Sequence, residues 1–146
     1  MPPFMLIRLA SEDDLAACGV IYADAFHGPP YDEDWAPAKA SSMLAELLKK
    51  DPESCWCSEV DGQVAGFAFC TTFGKFRAFI QEFAVHPKVQ KKGIGTALMK
   101  HILAEFQNRG IQSAELVVNK RAPAFDFYRR FGFRLPRNYT LMLRTL

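Results

Sequence analysis

No run of about 18 apolar residues occurs, and the opening Met1-Pro2-Pro3-Phe4 lacks the basic start and apolar core of an export signal, so neither a membrane span nor a leader is expected. The four cysteines (Cys18, Cys55, Cys57 and Cys70) form no C-x-x-C pair. They read as buried or edge thiols in a soluble, reducing, cytoplasmic protein. Metal ligation is not expected either, since His86 and His101 have no third ligand at metal spacing. Charge of one sign is also missing: 18 Lys+Arg against 16 Asp+Glu leave a net +2, too balanced for a dedicated nucleic-acid binder. There is no internal repeat, low-complexity tract or linker, and 146 residues suit a single domain, 1–146.

What is present is apolar surface, at 49% hydrophobic residues with 13 Phe, ample for a packed core. The balanced charge is unevenly placed. Residues 1–62 hold 4 basic and 12 acidic residues, whereas residues 63–146 hold 14 basic and 4 acidic, so a −8 part precedes a +10 part. Such a division suggests two subsites of opposite sign.

The apolar run at 4–9 predicts a strand, and Ser11 with Asp14 predicts a cap for an amphipathic helix that follows. Two prolines, a glycine and three consecutive acids make 27–35 a loop, and a second helix spans 37–50. Asp61-Gly62 between 54–60 and 63–72 is a hairpin signal, because both turn residues need positive φ. A third strand over 78–85 stops at Pro87, and apolar spacing predicts a helix over 93–109. A strand at 113–118, a helix from about Pro123 and a strand at 139–143 complete the order β-α-α-β-β-β-α-β-α-β. This is an α/β chain of α+β type, with a parallel crossover within 79–118.

The stretch from Val85 to Leu98 joins a strand end, a basic loop with Gly93 and Gly95, and a helix start. Free N–H groups at a helix start, reached through glycines, suit a phosphate, and Lys88, Lys91 and Lys92 suit a di- or polyphosphate. A dinucleotide fingerprint fails because Leu98 holds the place of its third small residue, and the only Gly-Lys, Gly74-Lys75, is followed by Phe76 rather than Ser or Thr.

Gln90-Lys91-Lys92-Gly93-Ile94-Gly95 resembles the Gln/Arg-x-x-Gly-x-Gly/Ala signature of the GNAT superfamily of acyl-CoA-dependent N-acetyltransferases. Phe83-Ala84-Val85-x-Pro87 resembles its "L-x-V-x-P" strand, and the stretch from Tyr128 to Phe133 its "Y-x-x-x-G-F". The resemblance implies a mixed, mostly antiparallel central sheet of ~six to seven strands flanked by about four helices. It implies that the backbone of Gln90, Lys91, Lys92, Gly93, Ile94, Gly95 and Thr96 holds the coenzyme A pyrophosphate. Phe83 and Val85 would pair with pantetheine, and an N–H near Phe83 or Ala84 would polarise the thioester carbonyl.

Direct attack by an amine on acetyl-CoA, as the resemblance implies, needs a base and an acid. Glu82, the only carboxylate between residues 62 and 104, is the candidate base, with Gln81 as the neighbour that a bulge would turn inward instead. A salt bridge from Glu82 to Arg77 is the non-catalytic alternative. Tyr128 is the candidate acid for the departing thiolate. Asn119 is a candidate coenzyme contact, although it lies nine residues before Tyr128 while the family's asparagine lies about seven before, a place Arg121 holds. By the family's layout, Tyr31, Asp32, Glu33, Asp34 and Trp35 line the acceptor pocket, and acids with aromatics attract cations. The acceptor expected is a primary amine, either a cationic small molecule such as an aminoglycoside or polyamine, or a lysine side chain. Neither nucleic acid nor membrane is an expected partner, and a homodimer is the symmetric default. The alternatives are a non-catalytic acyl-CoA-binding domain and, further off, a nucleic-acid module using the lysines of 88–100.

Overall fold

A computed structural model describes residues 4–146; the leader expectation, which rests on residues 1–3, lies outside them. Five strands form one sheet in the order β1-β2-β3-β4-β5: β1 (Met5–Leu9), β2 (Cys55–Val60), β3 (Gln63–Phe73), β4 (Arg77–Val85) and β5 (Ala114–Leu116). Pairing is antiparallel from β1 to β4, and only β4 and β5 are parallel. The helices are α1 (Leu15–Ala25), α2 (Pro37–Lys50), α3 (Ile94–Asn108) and α4 (Pro123–Arg130).

Fold class and element order match expectation up to α4, but among the described residues the sheet has five strands rather than six or seven. The segment 139–143 joins no ladder, and Leu141, Met142 and Leu143 stand in solvent. Its alternation is that of a strand, but a strand needs a neighbour to take up its backbone groups. Ser11 also acts differently from expectation. It caps a short 3-10 turn, Glu12–Asp14, with Ser11 N–H donating to Asp14 Oδ2 at 2.8 Å, and α1 starts only at Leu15.

The two faces of the sheet have separate cores. Cys18, Ile21, Tyr22, Leu44, Phe67 and Phe69 pack under α1 and α2, and Ala68, Cys70, Ile80, Leu98, Ile102 and Tyr128 under α3 and α4. Along β3 the alternation of Phe67 and Phe69 with Ala68 and Cys70 divides the strand between these cores, so the central strand is apolar on both sides. Cys18 Sγ and Cys57 Sγ lie 3.7 Å apart as free thiols inside the first core. At its rim Arg8 donates to both Asp14 carboxylate oxygens at 2.8 Å and to Glu59 at 2.7 Å, tying β1, β2 and the first turn together. The Arg8 guanidinium holds the Asp14 carboxyl below its ordinary range.

Helices α1 and α2 touch closely because Gly19 has no side chain. A Cβ there would overlap Ser41 Oγ and the Pro37 carbonyl, and Ser41 Oγ donates to Leu15 O at 2.8 Å across the same contact. Gly19→Ala is therefore expected to force the helices apart and lower unfolding free energy by about 2 kcal/mol or more. Chemical denaturation checks this, with Gly28→Ala, where a Cβ meets nothing within 4 Å, as the neutral control.

Candidate active site

The geometry of the site begins with a bulge. On β4, Glu82 pairs with Phe69 and Ile80 with Cys70, which leaves Gln81 as an extra residue without a partner on β3. Strict alternation would place positions 80 and 82 on one face. The extra residue resets it: Ile80 packs with α3 and α4, whereas Glu82 turns to the α1 face beside Tyr22. Gln81 is exposed and donates to Thr71 Oγ1 at 3.0 Å, so the bulge turns Glu82 inward, not Gln81. Arg77 pairs with Glu115 at 3.8 Å rather than with Glu82.

Beyond the bulge β4 loses its parallel neighbour. Pairing with β5 covers only Ala78 to Ile80 against Ala114 to Leu116. His86 N donates to Ala65 O at 2.8 Å, and antiparallel bonding alternates, so Ala84 bonds toward β3 while Phe83 and Val85 direct N–H and C=O to the open edge. Of the two N–H groups considered for the site, that of Ala84 is thus taken up by the sheet and that of Phe83 faces the open edge. Gln90 Nε2 donates to Val85 O at 2.9 Å, so this outward carbonyl already has a side-chain amide on it.

After a short 3-10 turn, Pro87–Val89, the chain reaches α3 through two left-handed residues, Lys91 (φ 65°) and Gly93 (φ 83°). Lys88, Lys91 and Lys92 are exposed around this loop. The first α3 bond runs from Ala97 N to Gly93 O, leaving the N–H groups of Ile94, Gly95 and Thr96 free of helical partners. Val85 and Phe127 pack near Gly95, within 3.6 Å of where a Cβ would lie.

Glu82 is half-buried, and its carboxyl is pushed up to about 7, mainly by desolvation and then by the negative charge of Glu33, against the opposing influence of the Tyr22 hydroxyl. Tyr22 approaches that carboxylate without a hydrogen bond of regular geometry, and burial raises its own pKa. The acidic segment alternates. Tyr31, Glu33 and Trp35 are half-buried and turn toward the site, while Asp32 and Asp34 are exposed. Trp35 Nε1 donates to Glu33 Oε1 at 3.1 Å, and Tyr22, Phe26, Tyr31 and Trp35 form an aromatic chain of one tilted and two edge-to-face pairs, with neighbouring centroids 4.7 to 5.2 Å apart.

Tyr128 lies on the opposite face, in the second core, 6.0 Å from Phe83 between ring centroids. Its phenol pKa is raised by desolvation and then by Tyr31 and Glu82, so the two faces meet through the gap that β5 leaves. Asn119 is exposed, and its Oδ1 accepts from Arg121 N at 2.9 Å, shaping the turn into α4. Tyr22 was not legible as a site residue, because in sequence it is one more apolar-face position of α1. His86 approaches Asp24 at 3.5 Å and His101 meets Trp56 edge-to-face, so both have local partners. No helix among the described residues is long and apolar enough to cross a membrane.

A bulged strand with an open edge, leading through a glycine turn to a helix start, belongs to the fold of acyl-CoA-dependent N-acetyltransferases. The profile of the Acetyltransferase (GNAT) family matches residues 10–133, and the chain belongs to that family. An uncharacterised N-acetyltransferase of Archaeoglobus fulgidus is 31% identical over 142 residues, covering 90% of this chain and 95% of that protein. One of Methanocaldococcus jannaschii is 32% identical over 136 residues, 87% of this chain, which spans only 59% of that relative's length. The crystal structure of the PaiA N-acetyltransferase of Thermoplasma acidophilum in complex with coenzyme A shares the fold, with a TM-score of 0.79 over 91% of each chain at 19% identity.

The raised Glu82 pKa has a sign that can be measured. Between about 4.5 and 7 the native state keeps a proton that the unfolded chain gives up, so Glu82 makes stability fall as pH rises through that window. Glu82→Gln is expected to flatten the pH dependence and to gain on the order of 3 kcal/mol above pH 7. Carboxyl NMR should show Glu82 titrating near 7 in the native protein, and lower in Glu33→Gln.

Proposed function

We propose that residues 1–146 form a single N-acetyltransferase domain that moves an acetyl group from acetyl-CoA to a primary amine by direct attack. The observation that carries this reading is the open edge of β4 at Phe83 and Val85, which runs from the half-buried Glu82 to the unpaired N–H groups of α3.

Acetyl-CoA supplies the acyl thioester and a thiolate leaving group. Phe83 and Val85 pair with its extended amide arm, for which the Gln90 amide must leave Val85 O, as strands do in edge augmentation. Gln90, Lys91, Lys92, Gly93, Ile94, Gly95 and Thr96 hold the pyrophosphate with backbone N–H groups, and Lys88, Lys91 and Lys92 add charge. Phe83 N–H faces the thioester carbonyl and stabilises the negative charge that develops there.

Glu82, directly or through one water, takes the proton from the acceptor's ammonium group. A carboxyl near 7 suits that task at neutral pH, being half ionised and a stronger base than an ordinary glutamate. Tyr128, kept protonated by burial, gives its proton to the departing thiolate. Glu33 with Tyr31 and Trp35 favours a cationic acceptor, an aminoglycoside- or polyamine-like compound or a lysine side chain, through charge and ring faces. Asp32 and Asp34 add only long-range attraction from the surface. Four free, buried thiols suit a reducing cytoplasmic setting.

Acetyl-CoA-dependent thiol release over a broad amine panel tests the proposal. On the best acceptor, kcat/KM should rise with pH through about 7, the value at which Glu82 ionises. Glu82→Gln should lower kcat by roughly 10²-fold with acetyl-CoA affinity unchanged, and Tyr128→Phe by roughly tenfold or more. Glu33→Gln should raise KM for cationic acceptors. A large thermal shift with acetyl-CoA but no turnover on any amine would assign the chain to binding rather than transfer.

A further inference from the structure

Residues 86–93 lead from the end of β4 to the start of α3, and among the described residues two side-chain hydrogen bonds hold them in shape. One runs from Gln90 Nε2 to Val85 O, a carbonyl that the proposed pantetheine arm claims for itself. The other runs from Lys88 N to His86 Nδ1 at 3.1 Å and involves none of the backbone groups assigned to the ligand. When acetyl-CoA binds, the first bond is released and the second is the one that remains.

His86 fastens this turn at three points. Its N donates to Ala65 O of β3 at 2.8 Å, its O accepts from Val89 N at 2.9 Å, and its ring caps Pro87–Val89 by accepting from Lys88 N. Pro87 has no N–H, so Lys88 is the first residue of the turn with a donor to satisfy. A ring nitrogen that accepts carries no proton, which places the proton of the neutral imidazole on Nε2. Nε2 faces Asp24 Oδ2 at 3.5 Å, in the last turn of α1, and that carboxylate favours the same tautomer. Asp24 is the only charged residue of α1, β3 carries none, and the turn itself adds Lys88. Tyr22, also on α1, is turned to Glu82 instead.

We propose that His86 is a positioning residue for the acyl-CoA site: its neutral ring holds the Pro87–Val89 turn, and so the free N–H groups of Ile94, Gly95 and Thr96, once Gln90 has left Val85 O. This rests on the proposal that the loop takes the pyrophosphate of acetyl-CoA. A second proton on His86 occupies Nδ1 and sets two N–H groups against each other where one bond had been. Lys88 N then loses its acceptor while the ring gains an ion pair with Asp24, so the ring is drawn toward α1 and away from the turn. Asp24 meets the added charge, and the change left for the loop is the missing cap. Affinity for the pyrophosphate therefore falls as pH falls.

Isothermal titration with dephospho-coenzyme A tests this, because that ligand keeps the pyrophosphate and lacks the 3′-phosphate, whose own proton would titrate near pH ~6. The parent protein for the titration is Glu82→Gln, in which that carboxyl no longer contributes. At about pH 8, adding His86→Ala should weaken binding roughly fivefold, the scale of a lost cap, and His86→Asn should restore it, since an asparagine oxygen accepts from the N–H two residues on. From about pH 8 to about pH 5.5 the parent should lose roughly fivefold in affinity while His86→Asn stays level. Asp24→Ala should carry the parent's fall to lower pH, because a carboxylate beside the ring favours its protonated form. The amide resonance of Lys88 gives a readout without ligand: it should move over the same pH range in the parent and stay fixed in His86→Asn. Equal affinity of His86→Ala and the parent, or the same pH dependence of affinity or resonance in His86→Asn and the parent, would overturn the role of His86 and leave the pyrophosphate site standing. No binding of dephospho-coenzyme A by the parent at about pH 8 would overturn the site itself and this role with it.

Discussion

One extra residue in β4 organises the site. Because Gln81 has no partner on β3, the strand passes its alternation from one face to the other within two residues. Three consequences come from that shift. Glu82 enters the α1 side among Tyr22 and Glu33, Phe83 and Val85 direct their backbone groups to the free edge, and β4 parts from β5 beyond Ile80. Gln81 gains a hydrogen bond to Thr71 on the surface, so the irregular residue leaves no polar group stranded.

The sheet separates the components of the site and the gap reunites them. Glu82, Glu33 and the aromatic chain of Tyr22, Phe26, Tyr31 and Trp35 belong to the α1–α2 face; Tyr128 and Phe127 belong to the α3–α4 face. In the proposed reaction, a proton acceptor and a proton donor on opposite faces address opposite ends of one reacting centre without neutralising each other. Burial acts on both in the same direction, raising the pKa of the carboxyl and of the phenol. For the proposed base this raises proton affinity at neutral pH, and for the proposed acid it preserves the phenol proton. The charge division along the chain has the same layout, with the acidic first part furnishing Glu33 and the basic second part surrounding the start of α3 with lysines.

Close packing elsewhere keeps this arrangement in place. Gly19 lets α2 lie against α1, which holds both ends of the aromatic segment 31–35 relative to Glu82. Arg8, with Asp14 and Glu59, anchors the turn that leads into α1. The sheet is less complete at the other side, where β5 is three residues long and its outer edge lies next to an apolar groove. The open β4 edge and the open β5 edge thus have different characters: the first is polar backbone over a loop of N–H groups, the second an apolar trough.

Much of this was legible along the chain because it is local. Asp61-Gly62 demanded a tight hairpin, Pro87 ended β4, and Gly93, at φ 83°, opened α3 in the loop expected to receive an anion. Glu82 stood out as the only acid in a long basic and apolar stretch. The choice between Gln81 and Glu82 could not be made there, since a bulge depends on the register of two strands and not on either one. Nor could the sorting of Asp32 and Asp34 from Glu33, which depends on how the loop lies against α1, or the part of Asn119, whose amide is taken by a local turn. The strand at 139–143 has the right alternation but no neighbour within the chain's sheet. Sequence by itself determined the element order as far as α4, the anion-suited loop and the candidate proton-moving side chains, because these follow from side-chain chemistry and short-range backbone preference. Tertiary structure alone decided which carboxylate turns inward, which edge stays open and which strand goes unpaired, because hydrogen-bond register and burial are properties of segments brought together from far apart.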